Sequence, residues 1–133
     1  MLFQALRLGP MPDPRLAAAK ARLDTLDFYP HPVQIEGVHL RVSAALFRLP
    51  WLRRFDGYAT HRVIFVRRAD LLDDPDLVCH ELCHVWQMQH RPFAMPLSYL
   101  RHGYAGNSYE AEARRAAAET ARPGGQASAS FER

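Results

Sequence analysis

The alternation of apolar and polar positions predicts a helix, a stretch of short extended pieces, and then two further helices. Leu16, Ala19 or Lys20, Leu23 and Leu26 recur at helical spacing behind Asp13-Pro14, a capping residue followed by proline at the first helical position. Tyr29-Pro30-His31-Pro32 closes that helix, because a residue preceding proline avoids the α region. Val33 to Glu36 and Val38 to Val42 then alternate around Gly37, the pattern of a hairpin. The segment 44–55, broken by Pro50, fits either a short helix or a loop. Arg62 to Arg67 encloses Val63-Ile64-Phe65-Val66, the clearest strand in the chain, β-branched and aromatic with polar flanks.

Asp73-Asp74-Pro75 opens a second helix that runs to about His90 and stops before Pro92. Residues 92–104, with Pro96 and Gly103, read as a connecting loop with room for one short turn. Asn107 or Ser108 caps a third, alanine-rich helix to about Ala121, ended by Pro123-Gly124-Gly125. Residues 1–122 are thus expected to form one domain and 123–133 a disordered tail.

Composition narrows the class. The chain has 133 residues, the length of a single domain. Its apolar runs fall far short of the roughly 20 residues that span a bilayer, so a membrane span is excluded and no membrane partner is expected. Residues 1–10 lack the layout of a secretory signal. Cys79 and Cys83, four apart on a helix, have poor vectors for a disulfide; both features point to a cytoplasmic protein. The net charge is +3, with 17 basic side chains, but the pairs Arg53-Arg54, Arg67-Arg68 and Arg114-Arg115 are scattered among acids. Nucleic-acid binding calls for one concentrated basic face and is not expected. The oligomeric state is not encoded in any visible pattern.

The chemistry concentrates in His80-Glu81-Leu82-Cys83-His84. Residues four apart lie one turn above each other on a helix, so His80 and His84 can share one metal ion, with Glu81 about 100° round and within reach of a water beside it. Imidazole nitrogen suits Zn2+, and a third ligand plus an open position makes such a site catalytic. Two residues compete for third ligand. Glu110 lies near the start of the next helix, where a fold-back would bring it alongside. His90 has the spacing of the metzincin motif, but six residues along a straight helix place it about 9 Å further on. A sharp turn at Gln87, where metzincins carry glycine, would be required. Glu110 is the favoured choice. Glu112, about 200° round from Glu110, cannot face the same ion and reads as a surface carboxylate. Cys79 and Cys83 fall on a different stripe from the histidines and read as core residues.

His80-Glu81-Leu82-Cys83-His84-Val85-Trp86-Gln87 followed by Asn107-Ser108-Tyr109-Glu110-Ala111-Glu112-Ala113 resembles the gluzincin clan of zinc peptidases, and most closely its small bacterial minimal-gluzincin domains. The resemblance covers about residues 64–118. It implies His80, His84 and Glu110 as zinc ligands, Glu81 as general base, and a Val63–Val66 strand that borders the cleft and pairs with an extended substrate. Ser108 and Arg114 depart from the family pattern. Arg114 stands where many gluzincins carry an acid near the site. A carboxylate or carbonyl partner for the ligand histidines must then come from Glu112, Asp70 or the backbone. An oxyanion donor is sought among Tyr99, His102, Tyr104 and Tyr109, with Tyr104 preferred.

The expected fold is therefore α+β and zincin-like: a small, mostly antiparallel sheet on the His80 helix, with the Glu110 helix alongside. The expected function is Zn2+-dependent hydrolysis of a peptide or protein substrate. The alternative is a zinc-binding interaction module with the same fold and no turnover.

Overall fold

The computed structural model describes residues 12–104 and 106–121; the expected tail at 123–133 lies outside them. The architecture is α+β, with four α-helices and one three-stranded mixed sheet among the described residues. Helix α1 spans Pro14–Leu23, and Asp13 caps it by accepting from the Arg15 amide at 2.8 Å. Strands β1 (His39–Val42), β2 (Gly57–Ala59) and β3 (Val63–Val66) follow, with a 3₁₀ turn at Leu46–Arg48 between the first two. A second 3₁₀ turn, Ala69–Asp73, leads into α2 (Pro75–His90), where Asp74 accepts from the amides of Asp76 and Leu77. Helix α3 covers Ala94–His102 and α4 covers Ser108–Glu119, the latter capped by Asn107. No helix among the described residues is long and apolar enough to cross a membrane.

The sheet departs from expectation in two ways. Strand β3 lies in the middle, parallel to β1 and antiparallel to β2, so the sheet is mixed rather than mostly antiparallel. There is no hairpin over residues 33–42, because β1 pairs with β3 and not with the preceding segment. Residues 33 and 34 satisfy their backbone elsewhere. The Val33 carbonyl accepts from Lys20 Nζ, and the Gln34 amide and carbonyl both bond the Gln89 side chain on α2. The true hairpin joins β2 to β3, with Thr60 Oγ1 accepting from the Val63 amide in its turn.

Residues 92–104 also differ from the expected loop. Pro96 lies in the first turn of α3, where a missing N–H costs no helical bond, so proline does not prevent the helix.

One apolar core joins the layers. Leu16, Ala19 and Leu23 of α1, Leu40 and Ile64 of the sheet, Val78, Leu82, Val85 and Trp86 of α2, and Ala113 and Ala116 of α4 pack together. Cys79 and Cys83 are free thiols buried in it, as their helical stripe predicts. Buried alanines on α4 admit α2 closely, and this approach brings Glu110 beside the two histidines. Arg22 ties the three helices, bonding Asp76 of α2 at 2.9 Å and the Ala117 carbonyl of α4 at 2.8 Å.

Candidate metal centre

Helix α2 is buried over most of its length, so His80, Glu81 and His84 leave its surface inside the protein. The rings of His80 and His84 meet edge to face, 4.9 Å between centroids. Glu110, in the first turn of α4, projects between them. Its Oε2 lies 2.7 Å from His80 Nε2 and its Oε1 lies 2.9 Å from His84 Nε2. Two phenols reach the same carboxylate: Tyr99 donates to Oε1 at 3.2 Å and Tyr104 to Oε2 at 2.9 Å. Arg114 Nε stands 3.8 Å from Oε2, with its guanidinium against the Tyr104 ring.

A glutamate 1% exposed is expensive to keep charged unless it is paired. Burial opposes the ionised form of Glu110, but hydrogen bonds from His80 and His84 outweigh it and hold the carboxyl well below the usual carboxylate range. Burial likewise works against a charged His84. The Glu110 hydrogen bond, its charge and that of Glu81, and the Gln87 bond prevail and raise His84 to about 9.

The tautomer of His84 follows from its neighbour. Gln87 Nε2 donates to the Tyr109 carbonyl and to Glu112 Oε1, neither of which can donate in return. The other amide atom, Oε1, therefore faces His84 Nδ1 at 2.8 Å and must accept from it. With Nδ1 carrying a proton, Nε2 of the neutral ring offers its lone pair to the site. Glu112 also accepts from the Tyr29 hydroxyl, so a chain of contacts runs from His84 through Gln87 and Glu112 to Tyr29.

His80, His84 and Glu110 form a buried group whose ligand atoms all lie within 4.8 Å of one another, and it could hold a metal ion. The donor set is chemically suited: two imidazole nitrogens and one carboxylate oxygen. Tetrahedral bonds of about 2.0–2.1 Å separate ligand atoms by roughly 3.3 Å. The present 2.7 and 2.9 Å contacts need to widen by only about half an ångström, within side-chain rotation, once an ion replaces the shared protons.

These residues sit in a cleft of ≈ 670 Å³ lined by His80, Glu81, His84 and Glu110 together with Trp51, Leu52, Phe55, Met95, Tyr99 and Tyr104. Gly57 of β2 approaches Glu81 so closely that a Cβ there would lie 2.9 Å from Glu81 Oε2.

The structure brings the expected residues Glu81, His80, His84, Glu110 and Tyr104 into one cleft, Tyr104 through its bond to Glu110. His90, the candidate set aside in favour of Glu110, is indeed not part of the group: α2 runs through position 87 without a break, and His90 Nδ1 bonds the Trp86 carbonyl while its ring stacks on Tyr29 and His31. Other expectations are corrected. Strand β3 does not border the cleft, because β1 and β2 occupy both its edges; β2 borders it instead. Asp70 is exposed and pairs with Arg68, so it supports no histidine. Glu112 is half-buried in the Gln87 network rather than a surface carboxylate. Gln87 itself was readable only as an amide one turn beyond His84 on the same face, and Gly57 carried no signal. Comparison with protein-family models, with curated proteins and with solved structures finds no match.

Proposed function

We propose that the chain is a zinc-dependent hydrolase of peptide bonds with a zincin-like fold, using a gluzincin-type ligand set of His80, His84 and Glu110. The observation that carries this reading is the convergence of those three side chains at 2.7–2.9 Å on the floor of a cleft that Glu81 also lines. The distant Glu110 and the helical pair meet although nothing in the local chain requires it.

His80, His84 and Glu110 would hold zinc, which when bound would supply Lewis-acid chemistry for hydrolysis near neutral pH. Glu81, whose carboxylate lines the same cleft, would serve as the proton carrier, taking a proton at a carboxylate oxygen from the attacking water and delivering it to the leaving amine. Its carboxylate lies against Gly57 of β2, where a side chain on that residue would displace it. Gln87 keeps His84 in the tautomer a ligand needs. Tyr104 offers a hydroxyl on the cleft wall for a developing oxyanion.

A peptide is the substrate class favoured by β2. The Arg67 amide bonds the Asp56 carbonyl and the Thr60 amide bonds the Val63 carbonyl, so even-numbered residues of this segment pair with β3. The backbone groups of Gly57 and Ala59 therefore face away from β3, at the sheet edge that lines the cleft. An extended main chain can add there as a strand.

The alternative, a zinc-binding interaction module without turnover, is favoured by one feature: both cleft phenols, Tyr99 and Tyr104, donate to Glu110. Peptide hydrolysis by the zinc-loaded protein, read beside Glu81→Gln, separates the two. The variant is expected to keep the metal and to lose about 10²–10⁴ in kcat. Undiminished hydrolysis in Glu81→Gln refutes the base; no hydrolysis in the zinc-loaded wild type favours the module.

A further inference from the structure

Among the described residues, six of the seven large apolar side chains that stand out into solvent come from two stretches without an acidic residue. Val42, Leu49 and Trp51 belong to 37–55, and Phe93, Leu97 and Leu100 to 82–109. The same stretches carry Arg41, Arg48, Arg53, Arg54, Arg91 and Arg101, all exposed. Both stretches contribute to the lining of the cleft, Trp51 and Arg54 from the first and Pro96 and Leu100 from the second.

Helix α3 makes the pattern sharper. Met95 is buried and lines the cleft, while Phe93, Leu97 and Leu100 follow i, i+4, i+7 spacing on the outside, 78%, 52% and 83% exposed. Single exposed apolar residues are ordinary, but a helical stripe of three, whose Leu100 lines the same cleft as a tryptophan 69% exposed, is a patch. Phe93 and Leu97 do not line the cleft, so nothing bound in the cleft would cover them.

We propose that this patch docks on an anionic lipid surface. Charge complementarity selects that occupant. Arginines around an apolar ridge bond headgroup phosphates while tryptophan and leucine enter the headgroup–acyl boundary. A second copy of the chain fits poorly, because a two-fold contact would set arginines against the same arginines with no acid between. The expectation of no membrane partner rested on span length, which says nothing about a face lying on the surface. The proposal is independent of the hydrolase reading; its readouts need neither metal nor turnover.

Co-sedimentation of the full chain with vesicles tests it, using phosphatidylcholine alone and phosphatidylcholine mixed with phosphatidylserine. Wild type is expected to pellet with the serine-containing vesicles at low salt and to be released by high salt. Arg91→Gln/Arg101→Gln should weaken partitioning roughly 25-fold, from a factor of about five per arginine. Leu97→Ser/Leu100→Ser should weaken it by at least about tenfold. Both pairs are exposed, so circular dichroism should match wild type. Trp86 is buried and Trp51 is not, so binding should shift the emission of Trp51 to the blue, a change that Trp51→Phe removes. No pelleting at low salt, equal pelleting with phosphatidylcholine alone, or pelleting unaffected by the leucine pair would overturn the proposal. So would a wild-type dimer in sedimentation velocity that the leucine pair dissociates, since the face would then belong to a second copy.

Discussion

A methyl group added at position 57 tests whether Glu81 acts where the structure holds it. Gly57 does not have a positive φ, so alanine suits its backbone and only the space beside it is at issue. The new Cβ would lie 2.9 Å from Glu81 Oε2 and 3.1 Å from both Cδ and Cγ. Unstrained carbon contacts lie at about 3.5–4.0 Å, so one side must give by roughly half an ångström or more. Strand β2 is hydrogen-bonded to β3, whereas the Glu81 side chain can rotate, so the carboxylate moves. A misplacement of about 1 Å at a reacting group can cost on the order of 10² in rate; half that shift corresponds to about tenfold in kcat. Overpacking of about 1–3 kcal/mol is partly offset by the 0.4–1 kcal/mol or so that alanine removes from the unfolded chain's entropy. The melting temperature should therefore fall by only a few degrees. The assay is kcat of zinc-loaded Gly57→Ala on a peptide substrate, with elemental analysis of the same sample. Metal content should equal that of wild type. In the Glu81→Gln background the alanine should have no further effect on rate, since both changes act through one carboxylate. Wild-type kcat in Gly57→Ala, or a loss of metal that tracks the loss of rate, would show that the argument from Glu81 placement is wrong.

Glu110→Ala should abolish metal uptake and, because two buried imidazoles lose their carboxylate, cost about 3–5 kcal/mol in urea denaturation; His90→Ala should leave metal content unchanged. Replacing Gln87 with leucine releases the Nδ1 proton of His84 from its acceptor and should weaken zinc affinity about 10–100-fold, measured by competition with a chromogenic chelator. Burial pushes the Cys79 and Cys83 thiols above the usual range, so iodoacetamide should label neither in the native protein and both in denaturant, read by intact mass; rapid native labelling would contradict their placement in the core.

Much of the site was legible before any coordinates. His80, Glu81 and His84 sit at fixed offsets on one helix, and its limits follow from Asp74-Pro75 and Pro92. The carboxylate of Glu110 could be chosen over His90 because helical rise rules His90 out. Glu112 shows where the same geometry stops. Its angle on α4 correctly separates it from the metal group, yet Gln87 on the neighbouring helix draws it into the His84 network. No spacing within either segment encodes that bridge.

Helix limits, capping residues, the β3 strand and the histidine pair are local properties: they depend on chain geometry and on residues within about one turn. Strand order is not local. Val33 to Val42 alternates as a hairpin should, but Lys20 and Gln89 claim the backbone of its first half, and β1 is left to pair with β3. The edge position of β2, the approach of Gly57 to Glu81 and the meeting of Glu110 with two imidazoles all arise from contacts between segments far apart in the chain. Such contacts form only when the shared core of α1, α2, α4 and the sheet closes, because burying that apolar surface sets which distant backbones and side chains come within hydrogen-bonding range.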